Sequence, residues 1–368
     1  MIKGRLHYFD TAKGIGIFLV LLGHLQGTWF FSLSPYILPL CTWIFSFHIP
    51  LFFLISGMLI RYKDDPAKDL KTLFLKRFKG IMIPYFWFSF FYLLVVLYSL
   101  LTGFIKPQSF FIQVWYVLGM YGMNVLWFLP ALFFGEMLFL LLRSRFSDKI
   151  LPFAILILTA LATLADLFVK KWCPLIPDAF FAVRAEELFT TLLRPVFAAA
   201  FITIGYYAFA LFRQREKANL VELLTAVALI LLNIFVHPYN GGVDFRSLVQ
   251  NNIALYYLCA LSGSFGLILL CKNLPAIRPV TYWGVNSLIV MAVHNNETVL
   301  FYGMKLAMYA NQFLTRARGY ISYLIVVVTI SLYVTLMIFV ITRYFGFLIG
   351  KPSVFDKLFA GKNHKNET

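Results

Sequence analysis

The sequence predicts an all-α integral membrane protein with about ten transmembrane helices. Three observations support this fold class: 61% of the 368 residues are hydrophobic, only 13% are charged, and the mean hydropathy is +0.81. Apolar runs of about 18–25 residues, long enough to cross a bilayer as a helix, recur from near the N-terminus to near residue 345. This composition excludes a soluble globular domain of comparable length.

The ten predicted spans follow one another through short polar loops. They cover residues 12–32, 37–60, 80–102, 124–142, 150–168, 190–211, 219–236, 251–271, 279–298 and 320–342. The first span is interpreted as a true transmembrane helix rather than a cleavable signal peptide, because it is long and contains a histidine. Residues 1–345 are therefore predicted to form one membrane domain, and residues 346–368 a polar cytoplasmic tail.

Two of the connecting segments, 103–123 and 299–319, are long and mix aromatic with polar residues. We expect each of them to form an amphipathic helix along the membrane surface.

The net charge of +16 reflects topology rather than nucleic-acid binding. Most Lys and Arg residues lie in loops that alternate spans would place on the same side of the membrane. The positive-inside rule then predicts that both termini are cytoplasmic. The four cysteines lack the spacing of a zinc or redox site, so no metal is predicted.

Lys13 and His24 lie in the first predicted helix, where ionisable side chains are unusual. Such a group costs about 2.5–3.5 kcal/mol or more inside a bilayer, which favours a functional role. At about 100° and 1.5 Å per residue, the two side chains share one helix face about 16 Å apart. Asp10 precedes Lys13 by one turn and is expected to pair with it. Alternatively, Lys13 reaches the membrane surface and His24 bonds a neighbouring helix.

Histidine exchanges a proton near neutral pH, so His24 is the candidate general base. It would deprotonate a hydroxyl that attacks a thioester, with Asp10 in the same candidate catalytic group. A second histidine, His48, precedes Pro50, which opens the helix and frees backbone groups for a ligand or water. His48 is either a second site group or a packing partner of His24. Gly57, further along this span, permits close approach of a neighbouring helix.

The remaining candidates are polar residues near the ends or within the interiors of other spans. Lys76, Arg77 and Lys79 suit the phosphates of a cytosolic donor together with Lys13, although basic clusters at the inner face are also ordinary topology signals. Glu136 requires a partner inside the membrane, either a Lys or Arg or a substrate. The candidate acceptor-binding residues are His48, Trp127, Glu136, Asn240, Asp244, Asn286 and Ser287.

Five motifs taken together resemble the membrane acyltransferase family three. They are a basic residue and histidine in the first helix (Lys13, His24), Phe-His-Ile-Pro-Leu-Phe-Phe at 47–53, a basic segment before Pro84-Tyr85, Trp-Phe-Leu at 127–129, and Gly-Val-Asn-Ser-Leu at 284–288 followed by His294. The opening Asp-Thr-Ala-Lys-Gly-Ile-Gly-Ile is most similar to the fucose 4-O-acetylase-related branch of that family.

This resemblance implies an enzyme of the bacterial cytoplasmic membrane that uses acetyl-CoA or another acyl-CoA as co-substrate. The acyl group would pass to a hydroxyl of a cell-surface or secreted glycan or a lipid-linked sugar. Lys13 and His24 match the family's signature, and the cluster from Lys76 to Lys79 would face the acyl donor. Some relatives carry a fused extracytoplasmic hydrolase-like domain. None is evident in these 368 residues, so we expect transfer to finish within the membrane domain.

A transporter or flippase for a sugar or lipid-linked glycan is the alternative function. Intramembrane Asp, His and Glu residues could form its proton relay. The sequence shows no internal repeat and no pair of interrupted helices, the features that transporters commonly have.

Overall fold

The computed structural model describes residues 6–25, 38–63, 69–212, 218–295, 297–311 and 318–351, and these ranges are almost entirely helical. They contain fifteen α-helices: α1 His7–Leu25, α2 Leu38–Phe45, α3 His48–Tyr62, α4 Leu70–Arg77, α5 Ile83–Leu101, α6 Pro107–Leu118, α7 Phe128–Arg145, α8 Leu151–Trp172, α9 Ala179–Ala208, α10 Leu220–Asn240, α11 Ile253–Asn273, α12 Arg278–Val285, α13 Ser287–Val293, α14 Glu297–Asn311 and α15 Arg318–Tyr344. The only strand-like pairing in these ranges is an isolated bridge between Asp244 and Val249. The predicted all-α class is confirmed.

Nine helical segments of the described chain are long and apolar enough to cross a membrane. They are His7–Leu25, Leu38–Tyr62, Leu70–Leu101, Asn124–Arg145, Leu151–Leu175, Ala179–Phe212, Leu220–Asn240, Ile253–Asn273 and Ile321–Tyr344. Many of their large exposed side chains are apolar, among them Val95, Leu156 and Leu332. Lipid contact accounts for such faces, because water would penalise them. The polytopic membrane class is therefore confirmed.

The predicted span at 279–298 is not among these nine segments of the described chain, because two short helices replace one long one. Helices α12 and α13 meet at Asn286, whose φ of −110° and ψ of 20° are not helical. Each half alone is shorter than a bilayer requires. The first predicted span also shifts: α1 begins at His7 rather than at residue 12, and the predicted stretch 26–32 lies outside the described residues.

The segment Leu38–Tyr62 is interrupted as well, between α2 and α3 at Ser46 and Phe47. Pro50 lacks the N–H that a continuous helix would donate to the carbonyl of Ser46, and side chains add hydrogen bonds to other carbonyls around the break. The Ser46 hydroxyl donates to the carbonyl of Trp43 at 2.7 Å, and Ser264 donates to that of Phe47 at 3.3 Å. The predicted opening at Pro50 is confirmed, but the expectation of no pair of interrupted helices is wrong.

Short polar side chains begin several of the helices. Asp69 accepts from the backbone N–H of Thr72, and Asp178, Asn219 and Asn252 cap α9, α10 and α11 in the same way. Each cap satisfies donors that the first helical turn leaves without a partner. The two segments predicted to be amphipathic also contain helices, α6 and α14.

The chain divides into two compact units, each built from separate stretches of sequence. The first contains Met1–Leu51, Gln214–Val243 and Asn251–Thr368. Within it α1 packs against α2, α11, α12 and α13, while α10 packs along α11 and α14 along α15. A Cβ added to Gly284 of α12 would overlap the backbone oxygen of Asp10, so the backbones of α1 and α12 are in direct contact.

The second unit contains Phe52–Arg213 and Asp244–Gln250. Here α9 packs against α7 and α8, and a π-helical turn at Phe78–Met82 joins α4 to α5. A Cβ on Gly57 would overlap the backbone oxygen of Ile202, which confirms the predicted close helix approach at this glycine. After α15, a 3₁₀ turn at Gly346–Ile349 buries Leu348 and Ile349, and residues 352–368 lie outside the described residues.

Candidate functional site

Helix α1 carries three of the predicted site residues. Lys13 Nζ lies 2.9 Å from Asp10 Oδ1, so the predicted pair is formed, and the carboxylate is buried. The helix runs without a break to Leu25, so Lys13 and His24 share one face as expected. The same geometry separates Asp10 from His24 by about 21 Å along the axis. Asp10 therefore holds Lys13 and does not contact the imidazole.

His24 lies beside a second histidine, His294, at the end of α13. The two ring centroids are 5.2 Å apart and the rings are inclined at 54°. Phe45 of α2 contacts His24 edge-on at 5.9 Å, and the same phenylalanine lies 5.0 Å from His48. His24 is half-buried, whereas His48 and His294 are both 3% exposed. These three histidines and Phe45 form what we call the histidine cluster.

Two interrupted helices build the histidine cluster. His48 begins α3 immediately after the break at Ser46 and Phe47, and His294 follows the last residue of α13, beyond the break at Asn286. Irregular backbone at membrane depth is tolerated where it is buried in protein or lines a polar cavity. The two breaks thus place His48 and His294 at helix ends, where His294 contacts His24 and His48 contacts Phe45.

The two nitrogens of His294 have different surroundings. Nδ1 lies 3.0 Å from the carbonyl oxygen of Val290 and 2.9 Å from that of Met291, so it carries the proton and donates. Nε2 is then the acceptor nitrogen of a neutral ring. It is buried and has no hydrogen-bond partner in the described ranges. A buried acceptor without a donor is costly, and a hydroxyl or water beside His24 would satisfy it.

His48, which lies in the second predicted span, already has a hydrogen bond at one ring nitrogen. His48 Nδ1 lies 2.8 Å from the carbonyl oxygen of Ile44, which also accepts from the backbone N–H of Phe47 at the helix break. Nearby, Asn233 Nδ2 donates to the Ser46 hydroxyl and to the carbonyl of Cys259. His48 therefore stabilises the break, and Phe45 provides its contact to His24.

The predicted donor-binding residues lie in the second unit. Arg77 Nε is 3.0 Å from Glu136 Oε2, and Ser56 donates its hydroxyl proton to the other oxygen of the same carboxylate. Glu136 is 2% exposed, and a buried carboxylate needs a charged partner. That partner is Arg77, and an arginine is one of the two partner types expected from the sequence. Lys76 and Lys79 are exposed and pair with no carboxylate in the described part of the chain.

Two further arginines of the second unit were not predicted as site residues. Arg61 Nη1 donates to the hydroxyl of Tyr206 at 2.6 Å, and the guanidinium carbons of Arg61 and Arg143 lie 4.9 Å and 4.8 Å from that tyrosine's ring. They come from the C-terminal turns of α3 and α7, which the sequence assigns to the inner face. The sequence did not indicate that Arg61 and Arg143 meet, because the residue that contacts both, Tyr206, lies on a third helix, α9.

The predicted acceptor-binding residues have mixed surroundings. Trp127 is 6% exposed and stacks on Phe245 at 5.9 Å, with the guanidinium of Arg194 5.3 Å from its ring. Asp244 is exposed, but both carboxylate oxygens accept bonds within its own turn, from Arg246 and Ser247. Asp244 therefore shapes the loop.

The remaining three acceptor candidates lie in the first unit. Asn240 ends α10 and accepts from the backbone of Asn252, which fixes the loop between α10 and α11. Asn286 Nδ2 donates to the carbonyl of Tyr282 at 2.9 Å and so stabilises the break before α13. Ser287 is half-buried at the start of α13. The side chains of Asn240 and Asn286 thus form hydrogen bonds to backbone groups.

Comparisons with known proteins give one family and one relative. The sequence model of a family described as an acyltransferase domain matches residues 6–340. Nodulation protein NolL of Mesorhizobium japonicum is 53% identical over 57 residues, a stretch that covers 14% of this chain and 14% of that protein. The chain thus matches about one seventh of that curated relative's length. No solved structure matches.

Proposed function

The chain belongs to the acyltransferase family whose domain spans residues 6–340, and on that basis we propose what this membrane acyltransferase transfers and how. The donor is acetyl-CoA or another acyl-CoA on the cytoplasmic side. The acceptor is a hydroxyl of a cell-surface or secreted glycan or of a lipid-linked sugar. The protein acts in the bacterial cytoplasmic membrane with both termini inside.

The observation that carries the proposal is the contact between His24 and His294. His24 accepts the acceptor hydroxyl proton while the oxygen attacks the thioester carbonyl. A carbon–oxygen bond forms, the carbon–sulfur bond breaks, and coenzyme A leaves as the thiol with that proton. His294 offers Nε2 as a fixed acceptor beside the site, so the hydroxyl or His24 itself can be oriented without a carboxylate.

The donor's phosphates are bound by cations that the protein keeps at the inner face. Lys76 and Lys79 are exposed point charges, and Arg77 presents a guanidinium that Glu136 holds in place. Glu136 therefore supports the donor side rather than the acceptor path expected from the sequence. Lys13, held by Asp10, adds a cation on the same helix face as the base.

A transporter remains the second candidate, because two interrupted helices occur in the described chain. Such helices bind substrates at mid-membrane in many carriers. The family match favours transfer chemistry. The two functions differ in whether the substrate is covalently changed, and a single assay separates them.

We would incubate the purified protein with acetyl-CoA labelled in the acetyl group and a glycan extract from its host. Labelled glycan should form, and His24→Ala should reduce its formation by about 10²–10⁴-fold, the range for loss of a general base. His7→Ala is the matched control, since His7 is an exposed histidine of the same helix. Substrate counterflow into vesicles without label on the glycan would instead support the carrier.

A further inference from the structure

Three arginine side chains of the second unit, Arg184, Arg194 and Arg246, gather around two tyrosines. We call them the arginine cluster. The guanidinium carbon of Arg194 lies 4.5 Å from the ring of Tyr121, and that of Arg246 lies 5.3 Å from the same ring. The guanidinium carbon of Arg184 lies 5.4 Å from the ring of Tyr116, which packs 4.9 Å from Tyr121. Three positive charges are thus held side by side.

Arg194 is the buried centre of the arginine cluster, with a side chain 1% exposed. Its Nε donates to the backbone oxygen of Arg246 at 2.6 Å, and its Nη1 donates to that of Tyr121 at 3.0 Å. Both partners are neutral carbonyls. These bonds fix the direction of the guanidinium, and its charge is balanced only partly, through longer-range attraction to Asp244 and Glu187.

Two carboxylates lie near the arginine cluster, and neither neutralises it fully. Glu187 Oε1 lies 3.0 Å from Arg184 Nη2 and accepts from the hydroxyl of Tyr116 at 2.9 Å. Burial and this carboxylate raise the pKa of Tyr116, so the phenol keeps the proton that it donates. Asp244 directs its oxygens to its own turn. A surplus of one positive charge remains.

The arginine cluster also has more buried hydrogen-bond donors than acceptors without a partner in the described ranges. Four buried donor nitrogens have no acceptor within the described ranges: Arg184 Nε, Arg184 Nη1, Arg194 Nη2 and Arg246 Nε. Against them stands one buried acceptor without a donor, Glu187 Oε2. Buried donors are rarely left without acceptors in native proteins. A group with several acceptor oxygens and a negative charge would satisfy these donors.

The loop that carries Tyr121 is held in an unusual backbone conformation. Met120 and Asn124 have φ values of 56° and 49°, and Gly122 between them has 83°. A side chain on Gly122 would overlap the backbone of Trp127, so the loop is packed directly on that residue. Left-handed backbone at a residue such as methionine costs energy and is retained where position matters. The loop places Tyr121 and its carbonyl against the arginine cluster.

We propose that the arginine cluster binds an anionic oxygen group of the acceptor, a sugar-borne carboxylate or phosphate. This inference rests on the proposed function in taking the acceptor to be a saccharide. Guanidinium groups bind both anions through paired hydrogen bonds. Tyr121 is half-buried and adds aromatic surface on which a sugar ring can pack. The predicted orientation places segments 103–123, 169–189 and 237–250 outside, so the acceptor would enter from the outer face.

Binding can be measured without any acyl donor. The purified full-length protein would be titrated by calorimetry with four probes: glucose, sodium glucuronate, glucose 1-phosphate and inorganic phosphate. At least one of the two charged sugars should bind more tightly than glucose by about tenfold or more, and added salt should weaken that binding. Preference for glucuronate indicates a carboxylate-bearing acceptor. Preference for glucose 1-phosphate indicates a sugar phosphate, and equal binding of inorganic phosphate indicates recognition of the phosphate alone.

The test variant is Arg246→Gln. Its backbone oxygen, rather than its side chain, holds Arg194, so the substitution leaves that bond in place. It should weaken binding of the charged sugar by about tenfold, the value of one charge-assisted contact. Lys171→Gln is the matched control: it removes one charge from an exposed residue at the end of α8 and should bind like the original protein. Arg184→Gln removes the positive charge of a different member of the arginine cluster and is an independent test.

Two results would overturn the arginine cluster as an anion site. One is equal binding of glucose and the charged sugars, or no binding of any probe up to about 10 mM. The other is unchanged affinity in both Arg246→Gln and Arg184→Gln. Failure of the proposed function is separate, because it is the absence of labelled glycan in the acetyl-CoA assay. If transfer occurs, Arg246→Gln should raise KM for an anionic acceptor and leave KM for acetyl-CoA unchanged.

Discussion

Single residues in this protein have roles that follow from which of their atoms are already bonded. The carbonyls of Val290 and Met291 occupy Nδ1 of His294 and leave Nε2 directed elsewhere. Glu136 has one oxygen near Arg77 and the other bonded to Ser56, so it cannot also accept from a substrate without losing a partner. At this scale the sequence predicted candidate residues, and the bonding pattern shows which of their atoms already have partners.

His294 should be required for turnover rather than for folding. His294→Asn keeps a donor near the Val290 and Met291 carbonyls but lacks the acceptor at the position of Nε2. We expect kcat to fall by about 10²-fold or more, with KM for acetyl-CoA little changed. The unfolding temperature should stay close to that of the original protein. Equal activity of His294→Asn and the original protein would contradict this role.

Glu136 should contribute to stability through its pair with Arg77. Glu136→Gln leaves the guanidinium without a charged partner, which should lower the free energy of unfolding by about 1–3 kcal/mol. The value is below that for a fully buried pair because Arg77 is partly hydrated, with 28% of its side chain exposed. Thermal unfolding in detergent measures the change. Glu186→Gln, at a half-buried glutamate of α9, is the control and should unfold near the original temperature.

At the scale of elements, close helix crossings and helix breaks determine where side chains meet. Gly14 and Gly284 let α1 and α12 touch through their backbones, and a hydrogen bond between Thr11 and Thr281 joins the same pair. The breaks before α3 and α13 then turn His48 and His294 toward Phe45 and His24. Hydropathy predicted a span at each of these places, but it could not predict the break at Asn286 between α12 and α13.

Gly284→Ala should disturb the position of α1 and with it the pair of Asp10 and Lys13. The added methyl group would overlap the backbone oxygen of Asp10, and neither backbone can yield without moving a helix. We expect a loss of about 1–3 kcal/mol in stability and a raised KM for the acyl donor. Gly242→Ala is the control, since a Cβ there meets nothing within 4 Å. Equal stability of the two variants would refute the close crossing.

For the whole molecule, the distribution of charge along the chain is the basis of the proposed orientation in the membrane. The cations assigned to the donor, Lys76, Arg77 and Lys79, lie near one end of the third predicted span. Arg184 and Arg246 of the arginine cluster lie on segments that the positive-inside rule assigns to the other side, and Arg194 lies in the predicted span 190–211. The acyl donor and the acceptor would then reach the protein from opposite sides of the membrane.

This orientation predicts which surface residues are reached from outside the cell. Lys106→Cys, after α5, should react with a membrane-impermeant maleimide in intact spheroplasts, whereas Lys149→Cys, before α8, should react only after permeabilisation. Both positions are exposed, and the four native cysteines are buried, which keeps background labelling low. The reverse pattern of labelling would invert the proposed topology.

The sequence by itself determined the properties that depend on local pattern. Hydropathy predicted the membrane class and nine of the spans, helical periodicity placed Lys13 and His24 on one face, and Pro50 indicated the first break. Only the tertiary structure decided which distant residues become partners: His294 for His24, Arg77 for Glu136, and Arg246 for Arg194. The physical reason is that periodicity encodes the face of a helix but not the neighbour that this face meets. That choice depends on helix crossings such as Gly14 with Gly284, between residues far apart in the chain.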